Sequence, residues 1–119
     1  MKNVEISRVF KAFDDENRLE ILNMLKKERL SATQILRNVD LAQSTLSHHM
    51  KILCESGVVT CEKSGKLTYY EISADGLSRA MDMLASFGEV SNPTIKPIDE
   101  KVIDADDDDS WSKMVTFID

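Results

Sequence analysis

The chain has 119 residues, 42% hydrophobic and 30% charged, with two cysteines and a formal net charge of −6. That length predicts one small domain with a tail, and no apolar run approaches the roughly 18 residues a membrane-spanning helix needs. Met1-Lys2-Asn3-Val4-Glu5 lacks the apolar segment of a secretory signal, and two cysteines cannot staple a disulfide scaffold, so a reducing, cytoplasmic setting is expected.

Apolar residues at Ile6, Val9, Phe10 and Phe13 fall on one helical face and predict a first helix. Asp14-Asp15-Glu16 then places acidic groups where a helix N-terminus favours them, and Leu19, Ile21, Leu22 and Leu25 continue as a second helix. Ser31-Ala32-Thr33-Gln34 has capping-box spacing and opens a short third helix carrying Ile35, Leu36 and Val39. After a break at Asp40-Leu41-Ala42, a fourth helix runs from Gln43 to about Glu55, with Leu46, Met50 and Leu53 as its apolar face. Gly57 suits a left-handed stop. The period then changes to two: Val58–Glu62 and Leu67–Ile72 flank Lys63-Ser64-Gly65-Lys66, predicting a hairpin with Gly65 in the turn. Leu77, Met81, Leu84 and Phe87 return to helical spacing in a fifth helix that ends near Phe87-Gly88.

Beyond this point the composition shifts. Residues 1–88 carry 12 basic and 12 acidic side chains, whereas residues 89–119 carry 3 and 9. The acidity therefore belongs to the tail, and charge neither supports nor excludes nucleic acid as a partner of the body. The expected domains are a folded body, 1–88, and an acidic tail, 89–119, largely disordered because Asp106–Asp109 repel one another. The aspartates suit a weak divalent cation or a phosphate mimic, with a solvated tail as the plainer reading. Trp111 and its apolar neighbours offer a docking segment.

Two short helices joined by about four residues predict a helix-turn-helix, whose second helix can lie in a DNA major groove. Opposite Leu46, Met50 and Leu53 that helix presents Gln43, Ser44, Ser47, His48 and Lys51. Gln pairs bidentately with adenine, Ser and His bond flexibly, and Lys meets phosphate. The basic hairpin tip would act as a wing. An ordinary polar surface is the bland alternative, and the element order argues against it.

Gln43-Ser44-Thr45-Leu46-Ser47-His48-His49-Met50-Lys51-Ile52-Leu53, followed by Gly57-Val58-Val59, resembles the recognition helix of bacterial ArsR/SmtB-type repressors. The resemblance extends to Ala12, Asp15–Leu22, Lys63-Ser64-Gly65-Lys66 and Tyr69-Tyr70, covering roughly residues 4–88. It implies a mainly α winged helix-turn-helix, four helices, a two-stranded hairpin and a fifth helix, dimeric through its first and last helices. It further implies a homodimeric, sequence-specific repressor of a near-palindromic double-stranded DNA operator. Carried over position by position, Gln43, Ser44, Ser47 and His48 would meet bases, Thr45 and Lys51 lie nearer the backbone, and Lys63 and Lys66 belong to the wing. His49 is expected to pack beneath the helix. Val9, Phe13, Leu77, Met81, Leu84 and Phe87 would form the dimer interface. One departure is Ala42, where the family often has a capping Ser.

Some relatives release DNA when a metal, metalloid or oxidant binds, so the sensing positions matter. Ala32–Arg37 lacks the Cys-x-Cys of one group, and no His lies between Asp75 and Phe87, where another group binds zinc-like ions. His48 and His49 point about 100° apart on a helix and do not converge on one ion. No metal site or cofactor is expected. Cys54 and Cys61 form the candidate thiol sensor, within reach of a disulfide or a shared soft ion; the alternative is two unpaired thiols behaving as small apolar residues. An enzyme is not expected, for the chain has no nucleophile set and no phosphate-binding Gly loop. The competing function is a winged-helix protein-interaction module that uses the Trp111-containing tail.

Overall fold

The computed structural model describes residues 3–89. The expectations for the aspartate run and for Trp111 lie outside the described residues. Helix α1 spans Asn3–Phe13 and α2 Glu16–Leu25, followed by a short strand β1 at Leu30–Ser31, α3 at Ala32–Asn38 and α4 at Gln43–Glu55. Strands β2 (Val59–Ser64) and β3 (Leu67–Ile72) then lead to α5 (Ala74–Ala85).

The helix boundaries follow from local chemistry. Asp15 caps α2, its carboxylate accepting from the N–H groups of Asn17 at 2.8 Å and Arg18 at 3.2 Å. At α3 the capping box closes in both directions: Ser31 Oγ accepts from Gln34 N–H at 3.2 Å, and Gln34 Oε1 accepts from Ser31 N–H at 2.8 Å. Ala42 stands at the N-cap of α4 with extended backbone and no side-chain bond. Ser73 caps α5 by accepting from Gly76 N–H at 3.0 Å. Past α4, Gly57 adopts φ +84 and turns the chain toward β2.

Three details depart from the expected plan. The sheet has three strands in the order β1-β3-β2, not two, because Leu30 pairs with Tyr70 and Ser31 with Tyr69. A two-residue strand is too short to show a period of two, and its pairing partner lies some forty positions away. Lys63 and Ser64 belong to β2, opposite Thr68 and Leu67, so the turn consists of Gly65 and Lys66 alone. Gly65 has φ +65 and Lys66 a negative φ, the pattern of a two-residue type II′ hairpin. The last helix stops at Ala85, and Ser86–Gly88 forms a tighter 3₁₀ turn.

Ile21, Leu22 and Leu25 of α2, Ile35 of α3, and Leu46, Met50 and Leu53 of α4 meet Val58 and Val59 in one core, closed by Ala12, Leu30, Ala80 and Met83. Burying a side chain such as Ile35 or Leu53 completely contributes about 1.5–3 kcal/mol. The N-terminus of α5 is set by a backbone approach: a Cβ on Gly76 would lie 1.8 Å from the Gly57 carbonyl oxygen. Only glycine permits that contact, which holds α5 against the turn leaving α4.

Candidate nucleic-acid interface

Helices α3 and α4 are joined by the four residues Val39–Ala42. Leu46, His49, Met50, Ile52 and Leu53 of α4 are buried, while Gln43, Ser44, Thr45, Ser47, His48 and Lys51 are exposed. The six helix residues expected at a nucleic-acid surface therefore share the solvent side of one helix. Between α3 and α4 a cleft of about 90 Å³ is lined by Thr33, Leu36, Gln43, Ser47, Met50 and Tyr70, so the reading helix and the sheet border the same space.

His49 faces inward, as expected, and the structure shows what receives it. Arg18 is buried, 7% exposed, and Nη1 lies 2.9 Å from His49 Nδ1. A guanidinium only donates, so His49 presents the Nδ1 lone pair and carries its proton on Nε2. The other Arg18 nitrogens donate to the Lys11 carbonyl at 3.1 and 2.8 Å and to the Asp14 carbonyl at 3.3 Å. One side chain thus ties the end of α1, the start of α2 and the middle of α4 together. Asp15 stands 3.9 Å from Arg18 Nη1. Its carboxyl is held below the ordinary value, first by the N–H of Arg18, then by that of Asn17 and the Arg18 charge. Arg18 carries a signal in the sequence that went unread: it occupies the stripe of Ile21, Leu22 and Leu25, where a cation must be buried with partners.

In the wing, Lys63 and Lys66 are exposed near the hairpin tip. Midway along the hairpin, at the Glu62–Tyr69 pair, the wing is fastened by Arg29. Arg29 donates to Glu62 Oε2 at 3.1 Å, and its guanidinium carbon lies 4.5 Å from the centre of the Tyr69 ring. Both ends of the ion pair are open to solvent, so the pair contributes little energy and chiefly orients the wing. Lys51, Lys63 and Lys66 form no salt bridge among the described residues, leaving their charges available to phosphate.

Cys54, half-buried on the last turn of α4, and Cys61, exposed on β2, are both free thiols. Among the described residues no three His, Cys, Asp or Glu side chains gather as a metal site. Of the residues expected at a dimer interface, Met81, Leu84 and Phe87 are exposed at 68%, 55% and 68%, and Phe13 is also open. Val9 and Leu77 are partly buried against this protomer's own core. Val4 and Phe10 on α1 add exposed apolar surface that was not expected there. No helix among the described residues is long and apolar enough to cross a membrane.

A helix-turn-helix with a polar outward face, followed by a hairpin, defines a winged helix-turn-helix. Residues 15–60 match the family model of the bacterial regulatory protein, arsR family. The chain is 38% identical over 73 residues to the arsenical resistance operon repressor of Staphylococcus aureus, covering 61% of this chain and 70% of that one. It is likewise 38% identical over 85 residues to the cadmium resistance transcriptional regulatory protein CadC of Listeria innocua, covering 71% of each. The solution structure of a homodimeric winged helix-turn-helix DNA-binding domain from Mycobacterium bovis shares the fold, with a TM-score of 0.58 and 24% identity over 71% of this chain and 79% of that one. The chain belongs to the ArsR family of bacterial transcriptional regulators.

Proposed function

We propose that this protein is a cytoplasmic homodimeric repressor that binds a near-palindromic DNA operator, with α4 in the major groove and the β2–β3 wing on the flanking backbone. The observation that carries the reading is the division of α4: Leu46, Met50 and Leu53 lock one side into the core while Ser44, Ser47 and His48 stand free away from it and Gln43 is exposed in the first turn. These side chains offer the donors and acceptors that base edges require, and Thr45, Lys51, Lys63 and Lys66 supply backbone contacts. The exposed apolar residues of α1 and α5 support pairing, because a chain this small gains a covered face by dimerising. The homodimeric state of the Mycobacterium bovis domain supports it also. The DNA-binding form uses no resident cofactor, and the chemistry open to a signal lies in Cys54 and Cys61.

Anisotropy titration of the reduced protein against duplex DNA from upstream of its own gene, beside a scrambled duplex, tests the reading. Specific binding that weakens steeply with salt is expected. Equal affinity for both duplexes at every salt concentration would overturn the repressor and favour a protein-interaction module.

A further inference from the structure

His49 stands at the midpoint of α4, between exposed His48 and buried Met50, and is itself only 7% exposed. Its Nδ1 lies 2.9 Å from Arg18 Nη1. The guanidinium is fixed independently of that contact: Nε and Nη2 donate to the Lys11 carbonyl at 3.1 and 2.8 Å, and Nη2 reaches the Asp14 carbonyl at 3.3 Å. Arg18 is thus anchored on the corner between α1 and α2 and holds a donor toward α4. The bond it makes there joins the frame of the domain to the helix that carries Ser44, Ser47 and His48.

We propose that Arg18 and His49 are positioning residues for operator binding: the neutral imidazole seats α4 against the α1–α2 corner, and a proton on Nδ1 unseats it and weakens binding. The proposal rests on the DNA-binding reading for its consequence. A guanidinium keeps its charge and only donates, so the bond exists only while Nδ1 presents a lone pair. A second proton on the ring turns that acceptor into a donor and sets an imidazolium against a guanidinium, both largely out of water. Arg18 retains its three backbone bonds, so it is His49, and α4 with it, that gives way. Binding competence is therefore present while His49 is neutral and is lost as the pH falls.

The charged groups around the ring do not cancel this effect. From α2, besides Arg18, the cap residue Asp15 faces it, 3.9 Å from Arg18 Nη1 and ionised throughout the range in which histidine titrates. Asp15 is partly open to solvent and already accepts from the Asn17 and Arg18 N–H groups, so it eases the second charge without replacing the lost bond. Glu16 and Glu20 are exposed. From α1, Lys11 contributes its carbonyl, while Glu5 and Arg8 border the cavity beside Glu55 at the far end of α4. On β2, Glu62 is engaged by Arg29 and Lys63 is exposed. His48, whose ring centre is 6.1 Å from that of His49, works in the opposite direction. It is exposed, and its protonation adds a cation beside phosphate, which strengthens binding in acid. The sign of the pH dependence separates the two histidines.

The test is anisotropy of the full chain on its upstream duplex and on a scrambled duplex, at constant ionic strength, from about pH 7.5 to about pH 5.5. Wild type is expected to lose about tenfold or more in operator affinity toward acid, with its far-ultraviolet circular dichroism unchanged. His49→Asn retains an acceptor near the place of Nδ1 and cannot titrate; it should flatten the profile and, at neutral pH, bind more tightly than His49→Ala. His48→Asn should weaken binding at every pH yet keep the acid loss. Long-range proton–nitrogen correlation by NMR reads the ring directly, and at neutral pH His49 is expected to show a bare Nδ1 and a protonated Nε2. A proton on Nδ1 at neutral pH, or wild type and His49→Asn losing affinity in parallel, would overturn the proposal. So would an acid loss that coincides with loss of helical signal, since that reports unfolding. Specific binding that ignores pH overturns the proposal alone, whereas no specific binding at any pH overturns the repressor reading together with this consequence of it.

Discussion

Arg18 is a buried cation whose value lies in how many backbone segments it satisfies. It neutralises no deeply buried carboxylate; it fills the carbonyls of Lys11 and Asp14 and the lone pair of His49. Removing it leaves the Asp14 carbonyl and His49 Nδ1 without a donor and the Lys11 carbonyl with only the Asp14 N–H, so Arg18→Ala is expected to lower stability by about 3 kcal/mol in a denaturant melt. Arg18→Lys should recover little, since one ammonium cannot reproduce the planar fork. Asp15 predicts a pH effect. Its folded carboxyl titrates below the ordinary 3.8, so its contribution is complete above that value and is lost as pH falls through the lower folded value. Asp15→Asn keeps an acceptor at the cap but cannot titrate. The melting temperature of that variant should therefore fall less steeply than wild type below the ordinary carboxylate range.

At the scale of elements, the reading helix starts without a side-chain cap. The backbone of Ala42, φ −67 and ψ 152, already suits a capping serine. Ala42→Ser is expected to raise stability by about 1 kcal/mol, read as a shift in the midpoint of urea unfolding at constant slope. The wing makes a different kind of prediction, because its lysines contribute charge without reading sequence. Lys63→Ala should weaken binding to operator and scrambled duplexes alike, and reduce the slope of log affinity against log salt by about two per dimer. Gln43→Ala should instead narrow the gap between the two duplexes while leaving that slope nearly unchanged. A larger slope change for Gln43→Ala than for Lys63→Ala would contradict the assignment of the helix to bases and the wing to backbone.

For the whole molecule the open question is pairing. Phe10, Met81, Leu84 and Phe87 leave substantial apolar surface on α1, α5 and the turn that follows. A charge at its centre should not disturb the protomer's core, in which Leu84 takes no part. Leu84→Glu is expected to give a folded monomer by light scattering, with unchanged far-ultraviolet circular dichroism and markedly weaker operator binding. A variant that stays dimeric would place the interface elsewhere.

Much of this protein is set by interactions between residues near one another in sequence. Apolar spacing placed all five helices because a helix repeats every 3.6 residues whatever surrounds it. The Ser31–Gln34 capping box and the Gly57 stop are likewise closed by neighbours within a few positions. The polar face of α4 could be read for the same reason, since burying Leu46, Met50 and Leu53 forces Ser44, His48 and Lys51 outward. What only the tertiary structure decided are contacts between distant elements. Strand β1 exists because Leu30 finds Tyr70, Arg18 is tolerated because His49 lies beside it 31 residues on, and Arg29 stacks on Tyr69 across the sheet. No local period encodes these contacts, because each joins residues that only packing brings together.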